Sequence, residues 1–378
     1  IDAGKMPVQL VREVNNTFQL SEVIWKDCNV GDTTLVPKPS FISTVAGDDD
    51  DTVTKDRFIN KLLFFRNRLV ILSGENVIMS QPGDFFNFWP KSAITFSPLD
   101  NIDLSCSSDS PATVYDGIQV NAGLVLFTKN QQFMLTTDSD VLSPETAKIN
   151  ALSTYNFNEK SSPISLGTTI GFLDNAGKYT RFWEMTGAAR EGDPNVLEQS
   201  KVVSTLLDSD IELVSNSREN SIVFFSKTGS STLYGWRYLT ASRERLQQAW
   251  FTWEFTGTIR HHCILDDSIY IVIRNNNKDT LRRIPIRTDT DSATVTDDRD
   301  TVTVDDDIIY DLHLDNYSTI SIGSGTYNAT TNKTTFAKPT AGYEDVGQMA
   351  VYDNSAGSGN TDPIGKYATA TVNGSNLE

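Results

Sequence analysis

Short apolar runs separated by turn residues dominate the segment from residue 61 to residue 90. The runs are Leu62–Phe65, Leu69–Leu72 and Val77–Met79, and polar or turn-forming residues such as Asn67 and Gly74 stand between them. A helix needs about ten residues or more, so runs of this length predict strands. Successive side chains on a strand point to opposite faces, and these runs are apolar at consecutive positions. The pattern therefore predicts a meander of strands with both faces covered.

The same unit, an apolar strand followed by a polar turn and a second strand, returns along the chain as far as about residue 290. The five strand pairs are Leu69–Leu72 with Val77–Met79, Leu124–Phe127 with Gln132–Leu135, Ile170–Leu173 with Tyr179–Trp183, Ile222–Phe225 with Leu233–Trp236, and Ile269–Ile273 with Leu281–Ile284. Their turns recur about every 46 to 55 residues. A repeated four-strand unit of this size is typical of a β-propeller.

The predicted fold class is therefore all-β, with a β-propeller over residues 61–290. Five blade-like units are visible, and a sixth is expected from residues 1–60 or from chain outside this sequence. A sandwich or an irregular barrel is the alternative architecture.

The flanking segments differ from the repeating region. In residues 1–60, two strands are predicted around the turn Asn15-Asn16, and Pro37 and Pro39 then impose an extended connection because proline fixes φ and lacks an N–H. Residues 291–378 are rich in Asp, Thr, Asn, Gly and Ser, with a hairpin predicted over Tyr327–Lys338. We assign this segment to a separate polar β module or insertion.

One helix is predicted, over Pro194–Leu207. Asp193 is a favourable cap, Pro194 suits the first helical position, and apolar residues follow at roughly helical spacing.

Composition and charge narrow the classes of function. The chain has 378 residues, 38% of them hydrophobic, and its net charge is −17. This charge argues against a surface that grips nucleic acid through its phosphates, whereas an acidic wall suits a conduit past which DNA slides; solubility alone is the simpler explanation. No run approaches 18 apolar residues, and no secretory signal opens the chain, so no membrane anchor is expected. Its ends suggest an ordered portion of a longer polypeptide.

Candidate reactive groups are few and scattered. Cys28, Cys106 and Cys263 are far apart and predict buried free thiols, as in a reducing compartment. His261 and His262 are adjacent on a predicted strand, so their side chains should diverge, and His313 has no partner signal.

The acidic segments are also poor candidate sites. Gly47–Asp51 predicts a solvated loop tip, with a weak cation site as the alternative, and Asp289–Asp300 fails as a calcium loop because Thr294 replaces the turn glycine. A propeller can host glycosidase chemistry on paired carboxylates, for which the candidates are Glu75, Asp84, Asp174 and Glu184. We assign no catalytic, cofactor-binding or metal-binding residue from the sequence.

The segment Phe64–Pro90, FFRNRLVILSGENVIMSQPGDFFNFWP, resembles the signature of the tail tubular protein B, or tail nozzle, of short-tailed bacteriophages. The matching positions are Phe64–Leu69, Leu72–Asn76, Ser80 and Gly83–Trp89. Gln247–Trp253 resembles a second family segment, and Tyr327-Asn328 with Thr335-Phe336 resembles a third. The polar region after residue 291 departs most from the family.

The resemblance implies a structural virion protein without enzymatic activity or cofactor. Proteins of this family form a hexameric ring below the portal and adaptor in the virion tail, after assembly in the host cytoplasm. The ring continues the channel for viral DNA and helps to dock tail fibres. Within Gln247–Trp253, the segment with Trp250 and Trp253 is expected to present alternate aromatic residues on one face, in the core of a blade or at a subunit contact. Two other functions stay open: a carbohydrate-binding or glycan-degrading tail protein, and a propeller that acts only in protein interactions.

Overall fold

The computed structural model describes residues 6–32, 34–42, 44–45, 54–55, 58–108, 111–175, 177–188, 192–241, 244–286, 301–304, 308–311, 322–337, 348–352, 367–373 and 376–377. These residues form antiparallel β-sheets, and the all-β prediction is confirmed. The backbone divides into two compact units, Ile1–Arg287 and Thr288–Glu378.

The first unit contains two small hairpins and five antiparallel sheets, which we number one to five in chain order. The N-terminal hairpin pairs β1 (Val8–Arg12) with β2 (Phe18–Glu22), and a second pairs β3 (Thr44–Val45) with β4 (Thr54–Lys55). Sheet one contains β5 (Ile59–Phe65), β6 (Arg68–Ser73), β7 (Asn76–Met79) and β8 (Ile102–Ser105). Sheet two contains β9 (Val114–Val120), β10 (Gly123–Thr128), β11 (Gln132–Thr137) and β12 (Ala147–Ser153). Sheet three contains β13 (Ile164–Ser165), β14 (Ile170–Asn175), β15 (Thr180–Thr186) and β16 (Asn195–Glu198). Sheet four contains β17 (Leu213–Ser217), β18 (Ile222–Ser226), β19 (Thr232–Ala241) and β20 (Glu244–Glu254). Sheet five contains β21 (Thr258–Leu265), β22 (Ser268–Asn275) and β23 (Lys278–Pro285).

Each of the five sheets is a meander in which strands adjacent in sequence are paired. The five predicted strand pairs are confirmed, and each forms the second and third strands of its sheet. The two strands predicted around Asn15-Asn16 are also confirmed, as β1 and β2.

The helix predicted over Pro194–Leu207 is wrong. Asn195–Glu198 forms β16, which pairs with β15, and the segment continues only as a 3-10 turn at Lys201–Val203. Val196 and Leu197 point to opposite faces of sheet three, as neighbouring residues on a strand do. The helix was predicted because Asp193-Pro194 is a favourable helix start, and the strand is too short for its alternation to outweigh that sequence.

The sheets pack face to face, and a hydrophobic core lies between each sheet and the next. In sheet two, Leu124 and Leu126 belong to the core shared with sheet one, whereas Val125 and Phe127 belong to the core shared with sheet three. The remaining interfaces contain Phe182 with Trp236 between sheets three and four, and Phe224 with Ile271 between sheets four and five. Burial on both faces explains why the strands are apolar at consecutive positions.

The outer face of sheet one is covered by segments outside the five sheets. Val23, Trp25 and Phe41, together with Phe88 from the loop after β7, bury Ile71 of the central strand. The prediction that both faces of this meander are covered is confirmed.

The tryptophans of Gln247–Trp253 lie in sheet cores but on opposite faces of β20. Trp250 packs in the core between sheets three and four, and Trp253 packs with Phe251 in the core between sheets four and five. The expectation that alternate aromatics share a face holds for Phe251 and Trp253, whereas Trp250 points to the other face.

The second unit contains a two-stranded and a five-stranded sheet. The first pairs β24 (Thr301–Val304) with β25 (Ile308–Asp311). The second contains β26 (Thr326–Asn328), β27 (Lys333–Ala337), β28 (Gln348–Tyr352), β29 (Tyr367–Asn373) and β30 (Asn376–Leu377), in the order β26-β27-β30-β29-β28. The hairpin predicted over Tyr327–Lys338 is confirmed as β26 and β27, with Asn332 at positive φ in its turn.

Candidate functional site

A cavity of about 580 Å³ lies where the first hairpin turns of sheets one to four meet. Its lining includes Arg66 between β5 and β6, Gln119 and Asn121 near the β9–β10 turn, Thr168 between β13 and β14, and Arg218 between β17 and β18. Four consecutive sheets therefore direct equivalent turns to one place, which requires the stack of sheets to curve.

The rim of this cavity carries positive charge. Arg66 and Asn67 both adopt positive φ, at 45° and 61°, as a two-residue hairpin turn requires. The Arg66 guanidinium reaches the carbonyl oxygen of Asp140 at 3.4 Å, and no carboxylate in the described residues forms an ion pair with Arg66 or Arg218. The cavity can hold a polar or anionic group through these cations and neighbouring amides.

Polar side chains join the first strands of consecutive sheets. Lys61 on β5 forms an ion pair with the buried Asp116 on β9 at 2.7 Å. Asn216 on β17 donates a hydrogen bond to the carbonyl oxygen of Ser165 on β13 at 2.7 Å. The first strand β5 therefore lies next to β9, and β13 lies next to β17, which also contacts β21.

His262 joins the first strands of sheets four and five. Its Nδ1 lies 2.7 Å from the Ser215 hydroxyl, and its Nε2 is buried without a hydrogen-bond partner. Burial, and secondarily His261, lowers the pKa of His262 to about 4. His261 is exposed on the opposite face, so the predicted divergence of the two side chains is confirmed. The imidazole of His262 is neutral and serves as a packing and hydrogen-bonding group.

Glu184, a candidate acid for glycosidase chemistry, is buried on sheet three and forms an ion pair with Arg245. Its carboxylate accepts hydrogen bonds from Thr169 Oγ1 at 2.7 Å, Gln199 Nε2 at 2.6 Å and Arg245 Nη2 at 2.8 Å. The Arg245 guanidinium lies over the rings of Trp236 and Tyr238, 4.7 and 4.4 Å from their centroids. This carboxylate is held in a structural ion pair between sheets three and four.

A family model described as bacteriophage nozzle protein matches residues 1–377. The chain belongs to the bacteriophage nozzle protein family. As a nozzle protein, it is a structural component of the phage tail.

The tail tubular protein gp12 of Escherichia phage T7 is 24% identical to this nozzle protein over 374 residues. The alignment covers 95% of the chain and 44% of the T7 protein, so the chain spans less than half the length of that relative. Among its described residues, the nozzle protein has no helix that is both long and apolar enough to cross a membrane.

The other candidate carboxylates of the nozzle protein do not converge with Glu184. Asp174 lies on the opposite face of sheet three, where burial raises its pKa. Asp84 is paired with Lys26, whose hydrogen bond lowers the pKa of Asp84, and Glu75 lies in the β6–β7 turn. Across the described ranges, no group of three or more His, Cys, Asp or Glu side chains is arranged to hold a metal ion.

The three cysteines of the nozzle protein are free thiols, as predicted. Cys106 is buried, and burial raises its pKa to about 12. Cys28 and Cys263 are exposed, so the prediction of burial is wrong for both. Cys263 points outward because it is opposite Tyr270 on the uncovered side of sheet five, and Cys28 lies in the irregular segment after β2.

Three sequence predictions fall outside the described residues of the nozzle protein. These are the acidic run Gly47–Asp51, the acidic segment Asp289–Asp300 and His313.

Sequence reasoning missed Arg68, a buried cation near the start of the family signature Phe64–Pro90. The side chain is 2% exposed although it begins the apolar strand β6. Its guanidinium donates hydrogen bonds to the carbonyl oxygens of Ser80 at 2.7 Å, Asp100 at 2.6 Å, Pro98 at 3.0 Å and Leu142 at 3.2 Å. The sequence does offer a signal for its burial, because Arg68 directly precedes the apolar run Leu69–Leu72. Arg68 fixes the long loop between β7 and β8 and ties it to sheet two.

Proposed function

We propose that this nozzle protein is a scaffold of the tail conduit, and that identical copies form a six-membered ring that continues the DNA channel. The match of the nozzle family model to residues 1–377 is the observation that carries this proposal. The stacked sheets support it, because cores on both faces of sheets one to four give the rigid wall that a tube needs. A closed ring of identical subunits is an economical way to build such a tube.

The five sheets are proposed to be blades of a β-propeller over residues 61–290, with their first strands nearest a common axis. The adjacent first strands and the cavity shared by equivalent turns of four sheets support this arrangement. A sixth blade would come from residues 1–60 or from chain outside this sequence.

The proposed partners are those of a tail component that lies between the capsid and the host surface. The ring contacts the portal and adaptor above it, and the polar module of residues 291–378 helps to dock tail fibres. Viral DNA passes without sequence-specific binding, which the net charge of −17 supports. The protein is assembled in the host cytoplasm and acts in the virion tail.

The proposed role is structural and requires no catalysis or cofactor. The placement of Glu184 and Asp174 on opposite faces of sheet three supports this view, because a glycosidase needs two carboxylates about 5 to 9 Å apart across one substrate. The comparisons support the nozzle interpretation and give no support to the carbohydrate alternative.

Electron microscopy of the purified chain, with its mass measured by sedimentation, tests the proposal. Six-fold rings with a central opening are the expected result. A strict monomer, both alone and with the adaptor protein present, would overturn the proposed ring.

A further inference from the structure

The N-terminal hairpin has an uncovered apolar face. The register pairs Val8 with Glu22, Leu10 with Leu20, and Arg12 with Phe18, so these six side chains share one face. Val8, Leu10, Phe18 and Leu20 are 53%, 65%, 65% and 67% exposed. An isolated two-stranded hairpin is at best marginally stable in water, so this face needs a covering layer.

Sheet five also has one uncovered face. Ile269, Ile271 and Ile273 of β22 bury the inner face against sheet four, whereas Tyr270 and Val272 point outward. The register adds Cys263 and Leu265 from β21, and Asp279, Leu281 and Arg283 from β23, to the outward face. Leu265 and Leu281 are 60% and 69% exposed. Sheet five is therefore the one sheet of the five whose outer layer is absent from the described residues of the first unit.

The two uncovered faces belong to opposite ends of the row of sheets. The hairpin is held at its base by Met6 and Val23, which pack on the outer face of sheet one with Leu69. Sheet five ends the row on the other side. In one copy both faces are exposed, so the hairpin does not cover the fifth sheet of its own chain.

The two faces also have complementary charge patterns. On the hairpin, Glu22 lies at one end and Arg12 at the other, with the Leu10–Leu20 pair between them. On β23, Arg283 and Asp279 flank Leu281 with the same separation of four residues, about 13 Å along a strand. One alignment therefore places Glu22 against Arg283, leucine against leucine, and Arg12 against Asp279.

The charged side chains at the proposed contact differ in how far they are already paired. Asp279 forms an ion pair with Arg274 on the same outward face, and Arg12 donates hydrogen bonds to Asn16, so Glu22 and Arg283 are the pair that carries the proposed contact. Arg283 donates from Nε to the Ser268 hydroxyl at 3.0 Å, and no ion pair of Arg283 is formed within the described ranges. Asp279 is held by Arg274 through two hydrogen bonds of 2.8 and 2.6 Å, which fixes its carboxylate on the outward face.

We propose that the N-terminal hairpin of one copy packs on the outward face of sheet five of the next copy. This inference rests on the proposed function and names a contact between ring subunits. It requires that the layer on the outward face of sheet five come from the next copy and not from a sixth blade of the same chain. Because the two surfaces differ and lie at opposite ends of the chain's row of sheets, the contact is head-to-tail, and repetition closes a ring when the rotation between copies permits.

A charge exchange in the 378-residue chain tests the contact. Glu22→Arg and Arg283→Glu are each expected to raise the dissociation constant between copies about tenfold or more, because each places like charges together. The double variant in one chain is expected to restore assembly. Glu13→Arg, in the hairpin turn, and Arg282→Glu, on the opposite face of β23, make the same charge changes outside the contact and should leave assembly unchanged.

Sedimentation velocity and electron microscopy give the readout, with circular dichroism to verify that each variant is folded. If the unmodified chain forms rings and both single variants assemble equally well, the inference is overturned while the proposed ring stands. Failure of the double variant to recover also overturns it. Absence of rings from the unmodified chain overturns the proposed ring itself.

A cross-link provides a second test that does not depend on changing affinity. In a Cys28→Ser, Cys263→Ser background, Leu20→Cys and Leu281→Cys place thiols on the two leucines that the alignment brings together, and oxidation is expected to join one copy to the next. Gln19→Cys in place of Leu20→Cys, on the opposite hairpin face, is the matched control and should not cross-link. Equal cross-linking by both variants, or dimers from neither, contradicts the proposed contact.

Discussion

Acidification should destabilise the first unit through His262, and comparison with a His262→Gln variant separates this contribution from those of the other titrating groups. The folded pKa of about 4 lies below the ordinary value of about 6.5 because the imidazole is buried. Between these values the unfolded chain binds more protons than the folded chain. The stability that neutral His262 provides is therefore fully present above pH 6.5 and is lost as the pH falls through 4.

The magnitude follows from the size of the pKa difference. Each unit corresponds to about 1.4 kcal/mol, so His262 should contribute about 3 kcal/mol to the decrease in the free energy of unfolding between pH 7 and pH 4. The cost has a visible cause, because protonation would place a charge on a ring whose Nε2 has no hydrogen-bond partner.

Urea denaturation of the wild-type chain, His262→Gln and His261→Gln at pH 7, 6, 5 and 4 measures this contribution. His261→Gln should keep most of the pH dependence of the wild type, because burial is the larger cause of the lowered pKa of His262 and His261 is the smaller one. For His262→Gln, the decrease in the free energy of unfolding between pH 7 and pH 4 should be about 3 kcal/mol smaller than for the wild type, whatever the stability of the variant at pH 7. Equal slopes for all three proteins would refute the assignment of a buried neutral imidazole.

Three further changes test the internal architecture by chemical denaturation. Arg68→Met should lower the free energy of unfolding by about 3–5 kcal/mol because it leaves the buried carbonyl oxygens of Ser80, Asp100 and Leu142, and the partly buried one of Pro98, without their donor. Arg66→Met, in the exposed turn, should cost under about 0.5 kcal/mol, and equal costs would contradict the buried role of Arg68. Arg245→Met should lower the free energy of unfolding by about 3–5 kcal/mol because it leaves the buried Glu184 unpaired. Adding Glu184→Gln to this variant should recover a large part of that loss. If the effects of the two single substitutions simply add in the double variant, the two side chains do not act as a pair. Gly235→Ala should lower the free energy of unfolding by about 1–3 kcal/mol because its new Cβ would lie 2.1 Å from the Phe251 ring. This loss should be smaller in a Phe251→Leu background. A loss of the same size in that background would show that the Phe251 ring is not the cause.

The sheet framework was predictable because its signal is local. Each central strand pair is a short apolar run followed by a turn residue, and burial on both faces leaves consecutive rather than alternating apolar positions, as in Leu69–Leu72. The helix error at Pro194–Leu207 came from the same kind of local evidence, since a cap and apolar spacing cannot reveal that β15 offers an unpaired edge to Asn195–Glu198.

The candidate site was much less predictable because its parts are distant in sequence. Arg66 and Arg218 are turn residues of different sheets, and only the stacking of four sheets brings them to one cavity. Lys61 and Asp116 are likewise on different sheets, so their pairing has no signal in either strand. The uncovered hairpin face was in principle visible as alternate apolar residues at Val8 and Leu10, although exposure on a β-strand depends on what packs above it.

Because each core between sheets joins two consecutive sheets, the first unit should behave as a chain of nearest neighbours. Loss of one interface, for example at Phe127 and Phe172, would divide the row without directly weakening the cores on either side. Cooperativity then decays from sheet to sheet, and the terminal sheets, which each lack one sheet neighbour, are the natural points at which unravelling starts. Contacts that cover the outer faces of the two terminal sheets would therefore stabilise the points at which unfolding starts.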